Sequence, residues 1–200
     1  MLEDQTGRVD IDIAEDQLRR FFPLLGGGFD ILTEVDLTVS AWFCSQPGLA
    51  TDYLKNRIQT IFLDGKAVDD PEKAIVKDGS TLALSAAMPG LVGATFRKGG
   101  RYAALRCEIS HNQEKASGKR ITGLLTLKLF NMVAAEIGPV FLRQAVRVNG
   151  RALAVFLDRL PTFFWRREPN IRLDGQALPT SDLSPQIIEK KYIWLKVTPS

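Results

Sequence analysis

The sequence contains few of the residues on which most catalytic and metal sites depend. Its 200 residues include one histidine, His111, and two cysteines, Cys44 and Cys107. Two cysteines cannot build a disulfide framework, and no second cysteine or histidine lies at metal-ligand spacing from either. We therefore expect two buried thiols, with a single disulfide or a reactive thiol as alternatives, and we expect no cofactor and no metal.

A long apolar run is also missing. The apolar stretches are interrupted by Lys, Glu or Gly well before the roughly 18 residues that a membrane-spanning helix needs. The first twelve residues, MLEDQTGRVDID, are acidic and polar, unlike the basic start and apolar core of a secretory signal. The sequence therefore predicts a soluble cytoplasmic protein without membrane association.

Neither sign of charge forms a dense run, but the two halves of the chain differ in net charge. Residues 1–100 hold 10 Lys and Arg against 15 Asp and Glu, a net of −5, and residues 101–200 hold 16 against 8, a net of +8. Such an asymmetry is typical of a basic binding face. It is equally consistent with an acidic half that docks against a basic half, and the sequence leaves both interpretations open.

The common catalytic motifs do not occur in this sequence. HExxH, CxxC and GxSxG are absent, and SGKR lacks the upstream glycine and the following Ser or Thr of a phosphate-binding loop. A catalytic triad would have to use His111 as its base, yet His111 lies in the polar stretch SHNQEKASGKR, which indicates a solvated loop. An enzyme of unknown class would therefore depend on Cys107 or His111.

Three basic segments are candidates for binding an anion or RNA. FRKGGRY places cations around a glycine turn, SGKRIT adds two more, and FFWRRE sets two arginines beside three aromatic residues. Exposed aromatic residues interleaved with cations are typical of single-stranded nucleic-acid sites. Charged hairpin tips that protect sheet edges and aromatic core anchors are the alternatives. The candidate residues are Arg97, Lys98, Arg101, Lys119, Arg120, Arg166 and Arg167.

Local signals predict a mixture of short helices and strands. Asp12 followed by Glu15 resembles a capping box and predicts a helix over Ile13–Phe22 that ends at Pro23, before a flexible joint at Gly26–Gly28. Alternation predicts a strand through FDILTEVDLTVSAWF. Further along, we expect a helix over Leu49–Arg57 and a strand over Thr81–Ala86.

The middle of the chain has a different pattern. LVGATF, RYAALRCEIS and RITGLLTLKLF predict three strands of an antiparallel meander with one wetted face. NMVAAEIGPVFLRQA predicts an amphipathic helix that Gly138-Pro139 bends. After it, AVFLDRLPTFFW predicts a helix interrupted near Pro161, and YIWLKVT predicts a closing strand.

One short pattern occurs three times, as IFLDGKAV, VRVNGRAL and IRLDGQAL. Asp-Gly and Asn-Gly favour two-residue hairpins because both central positions need positive φ, so each copy predicts a hairpin. DYLKNRIQTIFLDGKAV also aligns with TFFWRREPNIRLDGQAL without a gap, and Leu82 and Leu84 then align with Ile193 and Leu195. Two copies of one α+β unit explain this better than a solenoid, which needs three or more.

The stretch FLDGKAVDDPEKAIVKDGSTLALSAAMPG resembles the C-terminal half of a ubiquitin-like β-grasp domain. It is most similar to the small sulfur carriers of molybdopterin and thiamine synthesis. The matching residues are Leu63, Asp64, Gly65, Val76, Lys77, Asp78, Gly79, Leu82 and Leu84. The resemblance implies a fold of two strands, a helix and two strands. Sulfur carriers activate a terminal Gly-Gly, which this sequence lacks, so thiocarboxylate chemistry is not implied.

These observations predict an α+β protein in which two small β-grasp-like units flank an antiparallel meander with one helix. The expected divisions are residues 1–28, 29–90, 91–144 and 145–200. We expect a non-catalytic binding or assembly module with a protein partner or self-association. An RNA- or anion-binding protein and an enzyme that uses Cys107 or His111 are the alternatives.

Overall fold

The computed structural model describes residues 6–50, 52–86, 121–166 and 168–199. These residues form both helices and strands, so the predicted α+β class is confirmed. Contacts divide them into two compact units. We call residues 6–29 with 138–199 the terminal unit, and the described residues between 30 and 137 the central unit.

The described strands are short at the hairpins and longer in the sheet centres. In chain order they are β1 (Thr6–Ile13), β2 (Phe29–Val35), β3 (Leu37–Thr38), β4 (Thr60–Leu63), β5 (Lys66–Ala67), β6 (Ile75–Val76), β7 (Thr81–Ser85), β8 (Ile121–Phe130), β9 (Val146–Asn149), β10 (Asn170–Leu173), β11 (Gln176–Ala177) and β12 (Tyr192–Pro199).

The helices are mostly of one or two turns. A 3₁₀-helix covers Glu15–Phe21, and the described α-helices are α1 (Phe22–Gly27), α2 (Val39–Ser45), α3 (Tyr53–Asn56), α4 (Met132–Gln144), α5 (Gly150–Asp158), α6 (Thr162–Trp165) and α7 (Thr180–Ile188). In the part of the chain that the structure describes, none of these helices is long and apolar enough to cross a membrane.

The terminal unit is built around two parallel strands from opposite ends of the chain. Its strands follow the order β11-β10-β1-β12-β9. β1 and β12 run parallel, with Thr6 opposite Tyr192 and Ile13 opposite Pro199. β10 joins β1, β11 joins β10 and β9 joins β12, all in antiparallel pairs. Residues 6–13 therefore form a central strand of this sheet.

Alternation along the two central strands places one face of that sheet in the core. Every second side chain of β1 and β12 is buried, while the residues between them are partly or fully exposed. The buried positions are Val9, Ile11, Ile13, Ile193, Leu195 and Val197. Burial of branched side chains on one face stabilises the sheet by about 1.5–3 kcal/mol for each fully buried residue.

The central unit also has two parallel strands at the centre of its sheet. Its strands follow the order β2-β8-β7-β4-β5. β7 and β8 are parallel, with Leu82 opposite Leu127, and β4 pairs antiparallel with both β7 and β5. β3 and β6 form a separate two-stranded ladder. The predicted strand RITGLLTLKLF is thus confirmed as β8, whereas LVGATF and RYAALRCEIS lie outside the described residues.

Two of the three Asp-Gly or Asn-Gly hairpin predictions are confirmed. Asp64 and Gly65 have φ of 51° and 77° between β4 and β5, and Asp174 and Gly175 have 51° and 85° between β10 and β11. Positive φ at both positions is the requirement of the tight turn. Asp64 additionally accepts a hydrogen bond from the Thr81 amide at 2.7 Å, which ties the turn to β7.

The third hairpin prediction is wrong. Asn149 has φ of −66° and is the N-cap of α5, where its side chain accepts a hydrogen bond from the Ala152 amide. Asn is among the preferred residues both at N-caps and in hairpin turns, so the dipeptide alone does not distinguish them. Gly150 begins the helix, and its α-carbon lies against the carbonyl oxygens of Ile187 and Lys190.

The predictions for the N-terminal segment are corrected in three respects. Asp12 belongs to β1, and the 3₁₀-helix begins after Ala14, which makes no side-chain cap bond. Pro23 does not end the helical segment, because it lies in the first turn of α1, where a missing amide costs nothing. α1 continues through Gly27, so the glycines are not a flexible joint up to that point.

Two other boundaries differ from those predicted. The single strand expected through FDILTEVDLTVSAWF is divided at Asp36, which has φ of 64°, into β2 and β3. It ends at Thr38, whose side chain caps α2 by accepting from the Ala41 amide at 3.1 Å. The helix expected over Leu49–Arg57 is limited to α3. Cys44, expected to be buried, is an exposed free thiol, because α2 turns Trp42 and Phe43 into the core instead.

Helix α4 and the break near Pro161 are confirmed. α4 covers most of the predicted segment and contains Pro139. Within α4, Val133, Ile137 and Phe141 are buried, whereas Met132 is 55% exposed. α7, which the sequence analysis did not predict, packs against α5.

Candidate anion-binding cleft

The structure describes only one of the predicted basic residues. Arg97, Lys98, Arg101, Lys119, Arg120 and Arg167 lie outside the described residues, and so do Cys107 and His111. Arg166 is exposed and follows α6, where its backbone amide donates to the Thr162 carbonyl at 3.2 Å. The role of these residues in anion or RNA binding therefore remains a prediction. The terminal unit contains a basic cleft, which Arg166 does not line.

That cleft has a volume of about 660 Å³ and three arginines on its wall. Arg19, Arg20 and Arg159 supply the charge, and Pro23, Phe156, Leu160 and Pro161 supply an apolar floor. A volume of this size accommodates a small organic molecule. We call these seven residues the arginine cleft.

Short helices position the three arginines. Arg19 and Arg20 belong to the last turn of the 3₁₀-helix, and Arg159 is the C-cap residue of α5. Cations at helix C-termini are stabilised by the helix dipole, which explains why the fold tolerates them here. Pro161 follows two residues later and is the N-cap of α6, so α5 and α6 are separated at the rim of the cleft.

Aromatic contacts hold Arg20 in place. Its guanidinium carbon lies 4.8 Å from the centroid of the Phe163 ring, and Phe163 is 44% exposed. The next residue, Phe164, is buried and packs edge-on against Phe21 with ring centroids 6.0 Å apart. The two adjacent phenylalanines therefore have different roles. Phe164 anchors α6 in the core, and Phe163 supports the Arg20 guanidinium.

Arg20 also has an unsatisfied donor. Its Nε is buried and has no hydrogen-bond partner among the described residues. Burial of an unpaired polar group costs about 1–3 kcal/mol, and the described lining of the arginine cleft contains no carboxylate that could reduce this cost. Three arginines line this cleft, and guanidinium groups hydrogen-bond carboxylates and phosphates in a bidentate manner.

The sequence analysis missed all three arginines of the cleft. A signal was present, because RRFF at Arg19–Phe22 and FFWRR at Phe163–Arg167 both pair arginines with phenylalanines. Only the tertiary structure shows that the Arg20 side chain meets the Phe163 ring. Arg159 has no comparable signal, since its role depends on where α5 ends.

Other kinds of site have less support in the described residues. No group of three or more His, Cys, Asp or Glu side chains that could hold a metal ion occurs there. Tyr53, Arg57 and Glu136 form a polar cluster in the central unit, with Tyr53 Oη donating to Glu136 at 2.7 Å. Because this cluster satisfies its own hydrogen bonds, we interpret it as a structural tie between α3 and α4.

The described residues form an α+β protein with a cleft that three arginines and four apolar residues line. Comparison of the chain with protein-family models, with curated proteins and with solved structures finds no significant match.

Proposed function

We propose that this chain is a binding module for an organic anion and that the arginine cleft is its binding site. The buried, unpartnered Nε of Arg20 is the observation that carries the proposal. Three arginines in a lining without a described carboxylate favour a negatively charged group. The apolar floor favours a ligand whose phosphate or carboxylate is attached to an apolar or aromatic body.

Calorimetric titration with phenyl phosphate tests this proposal. We expect binding that weakens at least tenfold in Arg20→Gln, because the forked guanidinium donors are lost. Arg20→Lys keeps the charge but not the fork, so we expect it to recover little of the affinity. The matched control is Arg151→Gln, which removes an exposed arginine of α5 that does not line the cleft. Equal weakening by the two glutamine variants, or no binding at all, would contradict the proposal.

RNA is a second candidate ligand, favoured by the exposed face of the terminal sheet. Trp194 on β12 lies in register between Arg8 on β1 and Arg147 on β9, and Arg147 is stacked 4.3 Å from the centroid of the Tyr192 ring. Alternating aromatic and basic residues support single-strand binding. Arg8 also pairs with Asp10 at 3.1 Å, and this ion pair competes with a contact between Arg8 and a phosphate.

Titration with a labelled single-stranded RNA at several salt concentrations tests the RNA proposal. Phosphate contacts make the affinity fall steeply with salt, and Trp194→Ala should remove a stacking contribution of about 1–3 kcal/mol. A salt-independent signal, or unchanged binding by Trp194→Ala, would contradict it. The enzyme alternative, which depends on Cys107 or His111, stays a prediction, and so do a protein partner or self-association and a cytoplasmic location.

We further propose that the two units are copies of one β-grasp-like fold. Each has two parallel strands at the centre of five, flanked on one side by an Asp-Gly hairpin. In each, a one-turn helix precedes the hairpin and buries its second apolar residue, Leu54 in α3 and Phe164 in α6. These shared features support the proposal. Circular-dichroism spectra of each unit expressed alone would test it, because each copy of a complete fold should fold by itself.

A further inference from the structure

A second pocket of the terminal unit has the opposite charge. It has a volume of about 410 Å³, and its polar lining consists of Asp12, Gln17, Glu168 and Asn170. Gln17 belongs to the same 3₁₀-helix as Arg19 and Arg20, but it lines this pocket and not the arginine cleft. We call it the acidic pocket.

Gln17 contributes a buried acceptor that the described residues leave unsatisfied. The side chain is part of a residue that is only 4% exposed. Its Nε2 donates to Asp16 Oδ2 at 3.0 Å, which fixes the orientation of the amide. Its Oε1 is buried without a hydrogen-bond partner in the described part of the chain. A buried amide oxygen in this state requires a donor from a ligand or from water.

The two carboxylates of the pocket also present acceptors. Asp12 Oδ2 accepts from Asn170 Nδ2 at 3.1 Å and from Arg172 Nη2 at 3.3 Å, and no described residue donates to its Oδ1. Glu168 is exposed at the pocket's edge and adopts a left-handed φ of 47°, a conformation that a non-glycine residue rarely takes. The donors of Asn170 and Arg172 are already directed at Asp12, so the pocket has acceptors in excess.

The remaining lining is apolar. Ile13 is only 4% exposed and Phe164 only 1% exposed. Ala14 and Pro169 complete the lining. A ligand that fits must therefore present a positively charged group with several donors at one end and an aliphatic stem at the other. A primary ammonium has three N–H donors and no acceptor, which matches three oxygens from Gln17, Asp12 and Glu168.

We propose that the acidic pocket binds a primary alkylammonium group, with its N–H donors directed at Gln17 Oε1 and the two carboxylates and its alkyl stem against Phe164 and Ile13. The shared chemistry belongs both to small aliphatic amines and to a lysine side chain of a peptide. A metal ion is a poorer occupant, because two carboxylates and one amide oxygen give few ligands for a hard divalent cation.

The test compares ligands of equal charge and different donor number. The full chain is titrated calorimetrically with pentylamine and with pentyltrimethylammonium, which has the same charge but no N–H. We expect at least tenfold tighter binding of pentylamine. A parallel titration with a short lysine-containing peptide, against the same peptide with trimethyllysine, distinguishes a peptide source from a small amine. Equal affinity for both members of each pair would overturn the proposal.

Gln17→Leu separates binding from folding. The variant removes the unsatisfied Oε1 together with the hydrogen bond from Nε2 to the exposed Asp16, so we expect the melting temperature to change little. Pentylamine binding should nevertheless weaken at least tenfold, and Glu168→Gln should weaken it severalfold. The control is Glu189→Gln, an exposed acid outside the pocket, which should leave affinity unchanged. Loss of affinity in the control, or full affinity in Gln17→Leu, would show that pentylamine binds elsewhere and would overturn the proposal.

Discussion

Tyr53 and Glu136 are joined by a hydrogen bond of 2.7 Å from the tyrosine hydroxyl to Glu136 Oε2. Arg57 also pairs with this carboxylate. The three side chains link α3 to α4 within the central unit, although 83 residues separate Tyr53 from Glu136. Burial, followed by the hydrogen bond, raises the pKa of Tyr53 above its ordinary value, so the hydroxyl stays a donor throughout the neutral range.

Glu136→Gln should lower stability in a pH-dependent manner. Hydrogen bonds from Arg57 and then Tyr53 lower the pKa of Glu136 below its ordinary 4.5. The folded state therefore binds this proton less readily than the unfolded state, and the stabilisation is present above about pH 4.5 and is lost as pH falls through the lowered pKa. Because Arg57 is exposed and Glu136 is partly exposed, solvent screens the pair and we expect only a small loss at pH 7.

Urea unfolding of the protein and of Glu136→Gln at pH 7 and pH 3 measures this effect. The difference in unfolding free energy should shrink towards zero at pH 3. Glu189→Gln, which changes an exposed glutamate of the terminal unit, provides the control. A difference that stays constant between the two pH values would show that the contact acts through packing and not through charge.

Gly150→Ala should be far more destabilising than Gly65→Ala. A Cβ at position 150 would lie 2.5 Å from the Ile187 carbonyl oxygen and closer still to that of Lys190, so α5 would have to move away from α7. Such overpacking against backbone costs about 3 kcal/mol. At Gly65 a Cβ meets nothing within 4 Å, and the cost is limited to about 1–2 kcal/mol for its positive φ.

Chemical denaturation of the two variants checks the order of these costs. Equal losses would mean that the helix beginning at Gly150 can move away from the Ile187 and Lys190 carbonyls at little cost. The expected order would instead confirm that the two similar dipeptides retain glycine for different reasons.

Ala145→Gly should stabilise the protein. Ala145 follows the last residue of α4 with φ of 86°, a position where glycine is preferred. Relief of about 1–2 kcal/mol of backbone strain outweighs the greater freedom of glycine in the unfolded chain, about 0.4–1 kcal/mol. The matched control, Ala135→Gly in the exposed interior of α4, should lose about 1 kcal/mol. Melting temperatures that change in the same direction would contradict this prediction.

Cys44 should react with a thiol reagent in the native state. It is exposed on α2, whereas its neighbours Trp42 and Phe43 are buried. We expect Ellman's reagent to label Cys44 at pH 8 without denaturant and Cys44→Ser to lose this reaction. Labelling that persists in Cys44→Ser would identify Cys107 as an accessible thiol and would strengthen the enzyme alternative.

Local chemistry accounts for the parts of the fold that the sequence determined. The Asp64-Gly65 and Asp174-Gly175 turns, the interruption at Pro161 and the strand alternation of β8 and β12 depend on a few neighbouring residues. Their energies come from φ preferences and from side-chain periodicity, which act over a few neighbouring residues. These features could therefore be predicted before any tertiary contact was known.

Pairing between strands distant in sequence determined the remaining features of the fold. The alignment placed the closing strands β7 and β12 in equivalent positions, yet β7 pairs with β4 whereas β1 lies between β12 and β10. No local signal distinguishes these arrangements, because strand neighbours are selected by which apolar faces meet in the core. Distant contacts also determine three other features. Asn149 is a helix cap and not a hairpin residue, Gln17 Oε1 has no partner among the described residues, and the Arg20 guanidinium lies over the Phe163 ring.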